Sequence, residues 1–338
     1  MLVTVAGCSR ADNSSGSDTT TANQGPASEV HLGFFPNITH AAALIGVDKG
    51  YFSKELGSGT KLTTATFNAG PAEVNALLGG SVDIAFVGSG PVFNAYTQSN
   101  GAVRLVAGAS SGGAELVVRQ GINSPDDLKG KTVSDPQAGN TQDVSLKTWL
   151  SKNNLTGQVN VDNIANSTTL TEFKKGDIQG AWVPEPFASQ LVLDEGGKVL
   201  VDEKSLWPNG QFPTTVVLVR KAFLDQHPAT VSAIIKGELD AINYATTDKA
   251  GAEAAVNDEL TKLTGAGLSQ QVLDRAFSEL TLTVDPLASD FPTLAEDQVI
   301  AGSAPSTPKI TGIADLSLLN QILSAAGKSP VSAGSLGA

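Results

Sequence analysis

The stretch FNAGPAEVNALLGGSVDIAFVGSGP, residues 67–91, indicates the class of fold because it passes through turn, helix, strand and turn. Gly70-Pro71 predicts a helix start with Pro at the first position, and Gly79-Gly80 predicts the helix end. The apolar run VDIAFVG, residues 82–88, predicts a buried strand, and Ser89-Gly90-Pro91 predicts the start of the next helix. Alternating strands and helices are typical of a largely parallel sheet with helices on both faces.

The same alternation continues on both sides of this stretch and predicts two α/β lobes. Turn-rich crossings near residues 113–116 and 210–214 predict that the chain enters a second lobe and then returns, with Gly113 and Gly210 as hinge candidates. We expect each lobe to hold a mixed, mainly parallel sheet, with a ligand cleft between them. The predicted division is lobe 1 from 30–113 and 214–325, lobe 2 from 114–213, and a C-terminal tail from 326–338.

Composition narrows the class of function. The 338 residues carry a formal net charge of -12, and 41% are hydrophobic against 17% charged, so the chain can bury a substantial core. The acidic balance argues against nucleic acid, which is bound through clustered Lys and Arg. Three His and one Cys are too few for a His/Cys zinc site, although a carboxylate-only metal site stays open. We expect no cofactor.

The N-terminal residues resemble a lipoprotein leader. Residues 1–8 are too short for a complete signal peptide and predict a remnant of one, in which Val5-Ala6-Gly7-Cys8 resembles a bacterial lipobox. Residues 9–29, rich in Ser, Thr, Asn, Asp and Gly, predict a disordered tether. Cys8 is therefore a candidate lipidation site, the alternative being an accidental cysteine in a disordered terminus.

Five polar loops follow the predicted strands, where ligands collect in open α/β sheets. They read FPNITH, NAGPAE, VGSGP, ASSGGA and QAGNTQD, and they contain no Lys or Arg. Since a helix N-terminus offers free N–H groups and a partial positive charge, several aimed at one point would hold an anion such as a sulfonate without a cation. A neutral polar molecule fits equally well. His40 is a candidate donor or a helix cap, and Phe35 and Trp182 are candidates for an apolar wall or for core packing.

A hydrolase is the main rival function. Gly108-Ala109-Ser110-Ser111-Gly112 matches the G-x-S-x-G pattern of a nucleophile elbow, but an extended run follows instead of a helix. The only downstream histidine, His227, precedes a helix-starting proline, which is a poor position for a catalytic base. A pyrimidine synthase of related fold would need more His and Cys. We therefore expect no enzyme activity.

Taken together, the motifs resemble the substrate-binding proteins of ABC importers in the nitrate, taurine and aliphatic sulfonate family. The resemblance spans Val30 to Leu323 and is carried by residues 33–52, 67–91, 136–150, 173–187 and 202–215. It implies a type II periplasmic-binding-protein fold that closes on a solute and docks as a monomer on a membrane permease with its ATPase. It also implies an extracytoplasmic protein held by lipid at the outer face of the bacterial cytoplasmic membrane, in the periplasm or at the cell surface.

Carried over by motif position, the resemblance implies a set of ligand contacts. These are Asn37, Thr39, His40, Gly70, Pro71, Gly88, Ser89, Gly90, Ser111, Gly112, Asn140, Thr141, Gln142, Trp182 and Glu185. Glu185 departs from an anion site, because a carboxylate repels an anion unless it meets an amine on the ligand or stays out of contact. A taurine-like zwitterion would use it and a plain alkanesulfonate would not. Nitrate, bicarbonate or a pyrimidine precursor of thiamine remain alternative ligands.

Overall fold

The structure is a computed structural model that describes residues 22–337, which form two β-sheets flanked by helices. The strands are β1 (Glu29–Phe34), β2 (Lys61–Thr66), β3 (Ile84–Gly88), β4 (Val103–Gly112), β5 (Ala114–Val118), β6 (Thr132–Asp135), β7 (Asn160–Asn163), β8 (Gly180–Pro184), β9 (Lys198–Asp202), β10 (Pro213–Arg220) and β11 (Leu280–Leu282).

The helices pack on both faces of these sheets. They are α1 (Ala41–Asp48), α2 (Tyr51–Leu56), α3 (Gly70–Gly79), α4 (Ser89–Gln98), α5 (Thr141–Lys152), α6 (Asn166–Lys175), α7 (Phe187–Leu193), α8 (Lys221–Gln226), α9 (Pro228–Thr247), α10 (Lys249–Thr264), α11 (Gln270–Ser278), α12 (Phe291–Ile300) and α13 (Ser317–Ala325). Across residues 22–337, none of the helices combines the length and apolar character that a membrane crossing requires.

The two sheets define two lobes. Lobe 1 is built on the strand order β11-β4-β10-β3-β1-β2, and lobe 2 on the order β7-β6-β8-β5-β9. The prediction of two mixed α/β lobes is confirmed, but "mainly parallel" is wrong, since four strand pairs are parallel and five antiparallel. β5 and β10, by which the chain enters lobe 2 and returns to lobe 1, run against the parallel strands of their sheets and account for four antiparallel pairs, and the fifth pairs β11 with β4.

The buried residues of each lobe follow from these elements. In lobe 1, β3 is buried along its whole length between β10 and β1, and Phe34, Phe52, Phe86 and Phe291 fill the core around it. The lobe 2 sheet has an apolar cluster on each face, one containing Trp149 and Trp182 with Leu116, the other containing Phe173 with Val117. Adjacent residues of β5 thus face opposite layers, as expected of a central strand.

The chain crosses between the lobes along two adjacent segments. Gly113 joins β4 to β5 in the left-handed region at a φ of +78°, a conformation that glycine adopts without strain. The amide of Gly112 donates to the Phe212 carbonyl at 3.0 Å, and the Thr214 hydroxyl donates to the Gly112 carbonyl at 2.6 Å. The outgoing and returning chains are therefore tied together. Hinge motion at 113–116 and 210–214 stays a prediction.

The predicted tether and tail fall partly within the described residues. The lipobox with Cys8 and the first part of the tether lie outside them. Further along the predicted tether, the Gln24 amide donates to the Gln226 carbonyl and the Ala27 amide to the Thr230 hydroxyl, both at 2.8 Å. In the predicted tail, Leu336 is buried and its carbonyl accepts from the amides of Gly312 and Ala314. The described parts of both segments therefore pack on lobe 1.

Candidate ligand-binding site

Five helical elements from both lobes begin around one point between the lobes. Lobe 1 contributes the 3-10 turn Ile38–His40 that leads into α1, together with the starts of α3 and α4, and lobe 2 contributes the starts of α5 and α6. None of these starts is capped by the side chain of its own N-cap residue. Such starts keep partial positive charge available to a ligand, although the Gly70 and Gly90 amides donate to the opposite lobe.

The lobes touch each other at three of these starts. The Gly70 amide of α3 donates to Asn140 Oδ1 at 3.3 Å, and the Gly90 amide of α4 donates to Thr141 Oγ1 at 3.1 Å. A Cβ atom on Gly90 would lie 2.9 Å from Thr141 Cα, closer than packed side chains come to backbone. The lobes are therefore closed on each other, and α4 needs a glycine here for that approach.

A small cavity lies among these starts, and we call it the inner cavity. The space open to the centre of a water molecule in it is about 20 Å³. It is lined by Phe35, Asn37, Thr39, His40, Asn68, Gly88, Asn140, Thr141, Gln142, Asn166, Pro184, Thr214 and Thr215. Of the residues that the structure describes, no Lys, Arg, Asp or Glu lines it. The cavity is polar but carries no formal charge.

His40 is a neutral donor in this cavity. The Phe35 amide donates to His40 Nδ1 at 3.2 Å, which places the ring proton on Nε2. The ring stacks on Phe35 with 4.3 Å between centroids, and burial lowers the pKa of His40 to about 3. Because the imidazole stays neutral at physiological pH, it offers one N–H to a guest and no charge.

Side-chain groups with unused hydrogen-bonding capacity complete the site. The hydroxyls of Ser89 and Thr215 are buried and lack a hydrogen-bond partner within residues 22–337. Gln142 accepts from the Asn140 amide through Oε1, so its own NH2 group remains a donor. Asn166 Oδ1 is likewise buried and unpartnered in this part of the chain. Buried polar groups are normally satisfied, so these groups indicate a bound guest or ordered water.

An apolar space, the outer chamber, adjoins the inner cavity and shares Phe35, Asn37, Asn68 and Asn166 with it. Its volume is about 250 Å³. Its remaining walls are Pro36, Phe67, Ala165, Ser167, Pro186, Phe187, Gln190, Leu260, Thr264, Ala266, Gly267 and Leu268. Together, the inner cavity and the outer chamber form a polar pocket with an apolar extension, and such a combination is usual in small-molecule sites.

Glu185 belongs to a separate group that we call the ionic cluster, formed with Glu115, Ser189 and Arg275. Arg275 of α11 donates to Glu185 at 2.8 Å and to Glu115 at 2.7 Å, and the Ser189 amide donates to Glu185 at 3.0 Å. Burial, with the charge of Glu115, raises the pKa of Glu185 to about 7. Only its backbone approaches the site, where the carbonyl accepts from the Ile38 amide at 3.1 Å.

The remaining predicted contacts divide into two groups. The inner cavity is lined by eight of them, Phe35, Asn37, Thr39, His40, Gly88, Asn140, Thr141 and Gln142, while Gly70, Ser89 and Gly90 lie at the helix starts beside it. Pro71, Ser111, Gly112, Trp182 and Glu185 do not line it. Ser111 Oγ accepts from the Phe212 amide, Gly112 packs against Lys204, and the Trp182 ring lies 6.2 Å from that of Trp149 in the lobe 2 core.

The geometry gives no support to catalysis by Ser110. This residue lies in β4, where strand pairing with β10 and β11 leaves no elbow, and its hydroxyl donates to the Thr39 carbonyl at 2.7 Å. The ring of His227 instead contacts the Gly25 carbonyl at 2.8 Å. In the described part of the chain, no three His, Cys, Asp or Glu side chains are grouped to hold a metal ion.

Sequence reasoning missed several residues of the site. Asn166 was missed because α6 begins there behind an alanine, which gives no capping signal. Thr214 and Thr215 stand in the quoted motif at 202–215 and could have been found there. Asn68 and Pro184 carry no local signal. The partner of Glu185, Arg275, is 90 residues away in sequence.

Comparison with known sequences assigns the chain to a family. A sequence model of the NMT1-like family matches residues 23–257. The taurine-binding periplasmic protein of Escherichia coli strain K12 is 34% identical over 194 residues, which cover 56% of this chain and 58% of that protein. The chain spans about three fifths of the length of the curated relatives that it matches first.

Solved structures share the fold at low sequence identity. The alkanesulfonate-binding protein SsuA of Xanthomonas axonopodis pv. citri, bound to MOPS, superposes with a TM-score of 0.70 at 17% identity, covering 84% of this chain and 96% of that one. The periplasmic nitrate-binding protein NrtA of Synechocystis PCC 6803 gives 0.72 at 14% identity, covering 88% and 89%. The predicted periplasmic-binding-protein fold is thereby confirmed.

Proposed function

The chain belongs to the NMT1-like family, and on that premise we propose that it is the solute-binding component of an ABC importer for a small organic anion, an alkane- or arylsulfonate. The observation that carries the proposal is the inner cavity, where uncapped helix starts and neutral donors from two lobes surround one small space. The name of the Escherichia coli relative, a taurine-binding protein, supports the same class of ligand. Binding without chemistry fits this site, since none of the described residues offers an activated nucleophile there.

The inner cavity would bind the charged sulfonate group of the ligand. The Nε2–H of His40, the NH2 of Gln142 and the hydroxyls of Ser89 and Thr215 are neutral donors, and the helix starts add backbone amides. A sulfonate suits these groups because it is fully ionised and accepts hydrogen bonds on three oxygens without requiring proton transfer. Oriented amides and helix dipoles stabilise such a charge in a dry site.

The outer chamber would bind the alkyl or aryl group of the ligand. Its wall is mostly apolar and brings together Phe35 and Phe67 of lobe 1 with Phe187 of lobe 2. An alkyl or aryl group attached to the sulfonate would fill it and gain roughly 25 cal/mol for each Å² of apolar surface removed from water. The carboxylate of Glu185 is engaged by Arg275, which favours a ligand without an ammonium group over taurine.

An inorganic anion is the second candidate, and the size of the inner cavity favours it. A space of about 20 Å³ for the centre of a water molecule suits nitrate or bicarbonate without any occupant of the outer chamber. The two candidates differ in one respect that can be measured, because only an organic anion gains affinity as its tail grows.

Closure of the lobes would signal occupancy to the transporter. We propose that the lobes move about the crossing segments at 113–116 and 210–214, and that a ligand touching both lobes favours the closed arrangement. The closed form would then dock, as a monomer, on a permease with its ATPase. Lipidation at Cys8 would hold the protein at the outer face of the cytoplasmic membrane.

A thermal-shift series tests the proposal. The full-length chain is heated with methanesulfonate, butane-1-sulfonate, benzenesulfonate, taurine, nitrate and bicarbonate at equal concentrations. We expect the two larger sulfonates to give the largest rise in Tm, because a ligand that binds only the native state stabilises it by about 2.7 kcal/mol at 100 times its Kd. A larger shift with nitrate or bicarbonate would favour the inorganic candidate, and no shift with any anion would contradict the proposed function.

A further inference from the structure

A second cavity lies between the lobes, and it shares no lining residue with the inner cavity or the outer chamber. We call it the tryptophan cavity and define it by Trp149 and Lys152 of α5, Glu203 and Trp207 from the segment between β9 and β10, and Asp290 and Asp297 at α12. Its volume is about 580 Å³, within the usual range of about 300 to 1,000 Å³ for small-molecule sites.

Glu203 is an unsatisfied carboxyl group in the wall of this cavity. The residue is fully buried, and neither carboxyl oxygen has a hydrogen-bond partner within residues 22–337. The Ser145 hydroxyl and the Trp182 indole N–H lie close enough to favour its ionised form without completing a hydrogen bond, yet burial dominates and raises its pKa to about 8. A buried carboxyl group without a partner is costly unless something supplies a donor or a positive charge.

The tryptophan cavity carries more negative than positive charge. Glu203, Asp290 and Asp297 set three carboxyl groups against the single ammonium of Lys152, whose nitrogen lies 3.5 Å from Asp297. The Lys152 side chain is 60% exposed, so it neutralises the cavity only weakly. Burial also raises the pKa of Asp290 and of Asp297, so each would gain from a further cation.

Two tryptophan side chains form part of the wall of the tryptophan cavity. Trp149 and Trp207 both line the cavity, and each is supported from behind by another ring, Trp182 at 6.2 Å and Phe212 at 5.1 Å between centroids. An indole face attracts a cation that lies within about 6 Å of its ring centroid. Aromatic faces beside unpaired carboxyl groups match the two parts of an amphipathic amine.

From this combination we propose that the tryptophan cavity is a second binding site, for a small organic cation that carries a primary ammonium group on an aromatic or aliphatic body. The ammonium group lies near Asp290 and pairs with Glu203 once that covered carboxyl group turns toward the cavity, while the body packs on Trp149 and Trp207. The site is separate from the anion site of the proposed function and does not depend on it.

Tryptophan fluorescence tests this directly, because all three tryptophans of the chain, Trp149, Trp182 and Trp207, line or adjoin the cavity. The full chain is titrated with 2-phenylethylamine and, in parallel, with 2-phenylethanol, which has a similar shape but no charge. We expect saturable quenching by the amine and at least about tenfold weaker binding of the alcohol, the loss typical of a charge-assisted hydrogen bond. Equal affinities, or no saturation by the amine, would overturn the proposal.

Two substitutions locate the amine. At a pH of about 9, where Glu203 is ionised, Glu203→Gln removes the charge at nearly constant shape and should weaken amine binding about tenfold, and Asp290→Asn should weaken it by a smaller factor. Glu172→Gln is the matched control, since Glu172 lies in the same lobe, pairs with Lys175 and does not line the cavity. Amine affinity that stays within twofold in both Glu203→Gln and Asp290→Asn would contradict the assignment.

The pH dependence adds a second readout. Glu203 must lose its proton to pair with an ammonium group, so amine affinity should rise by up to about tenfold per pH unit below pH 8 and level off above it. The charged groups that face Glu203 or share the cavity with it are Asp202, Lys152, Asp290 and Asp297. In Glu203→Gln this rise should flatten, and an unchanged profile in the variant would argue against Glu203 as the partner.

Discussion

The inner cavity and the ionic cluster lie on either side of one backbone contact, from the Ile38 amide to the Glu185 carbonyl, and they treat charge in opposite ways. The inner cavity holds neutral donors such as His40, whereas the cluster holds two buried carboxylates on a single guanidinium. Formal charge therefore joins the two lobes at the ionic cluster, whereas neutral polar groups line the inner cavity. A site free of fixed cations suits a guest that must later be released.

The largest effect should come from removing the only cation of the ionic cluster. Arg275→Met leaves Glu115 and Glu185 buried without a compensating cation, and breaking a buried pair in this way typically costs about 3 to 5 kcal/mol. Urea unfolding measures the loss. Lys61→Met removes an exposed pair with Glu29 as the control and should cost at most about 1 kcal/mol. Equal losses in the two variants would mean that the cluster contributes no more than a surface pair.

Blocking closure should abolish most binding and leave the fold intact. Gly90→Ala places a Cβ 2.9 Å from Thr141 Cα, so α4 cannot approach α5. Apparent affinity scales with the closed fraction, so a fall in that fraction to about 1% weakens sulfonate binding about 100-fold. The control is Gly79→Ala, also in a lobe 1 helix, where a Cβ meets nothing within 4 Å. If both variants bind butane-1-sulfonate equally in calorimetry, contact between these helix starts is not required.

The contributions of His40 in the inner cavity and of Glu185 in the ionic cluster to folding stability should change with pH in opposite directions. His40 has a lowered pKa, so the unfolded state takes up a proton below pH 6.5 while the folded state does not, and stability is lost as pH falls toward about 3. Glu185 has a raised pKa, so its contribution is complete below pH 4.5 and is lost as pH rises to about 7. Each slope is at most about 1.4 kcal/mol per pH unit.

Unfolding experiments across pH, with variants, separate these contributions. The stability of His40→Gln relative to the unmodified chain should increase as pH falls below 6.5, whereas that of Glu185→Gln should increase as pH rises from 4.5 to 7 and then stay level. The same sign of slope for both variants would show that the inner cavity and the ionic cluster do not differ in the way described.

The smallest expected effect is on the binding of the alkyl or aryl group of the ligand. Phe187→Ala removes part of the outer chamber wall and should weaken benzenesulfonate binding about fivefold, or about 1 kcal/mol of apolar contact, with little change for methanesulfonate. Leu263→Ala, an exposed apolar residue of α10 outside the chamber, serves as the control. A parallel loss for both ligands in Phe187→Ala would place the tail elsewhere.

Much of this arrangement could be predicted from local sequence signals. Gly70-Pro71 and Ser89-Gly90-Pro91 mark helix starts by their own chemistry, and those starts do meet at the inner cavity. The sheet directions could not be predicted, because β10 enters lobe 1 after an excursion of about 100 residues, and nothing local records which way it runs. The side-chain direction of Trp182 and the partner of Glu185 depend on tertiary packing in the same way.

Calorimetric titration with butane-1-sulfonate and with butane-1-sulfonamide, its uncharged counterpart, measures whether the inner cavity recognises the negative charge of its guest. We expect saturable binding of the sulfonate by the full chain, at least about tenfold weaker binding of the sulfonamide, and little change between low and high salt, because the charge is held by buried dipoles rather than exposed cations. Equal binding of the two compounds, or a sulfonate affinity that collapses in salt, would contradict an anion site built from neutral donors.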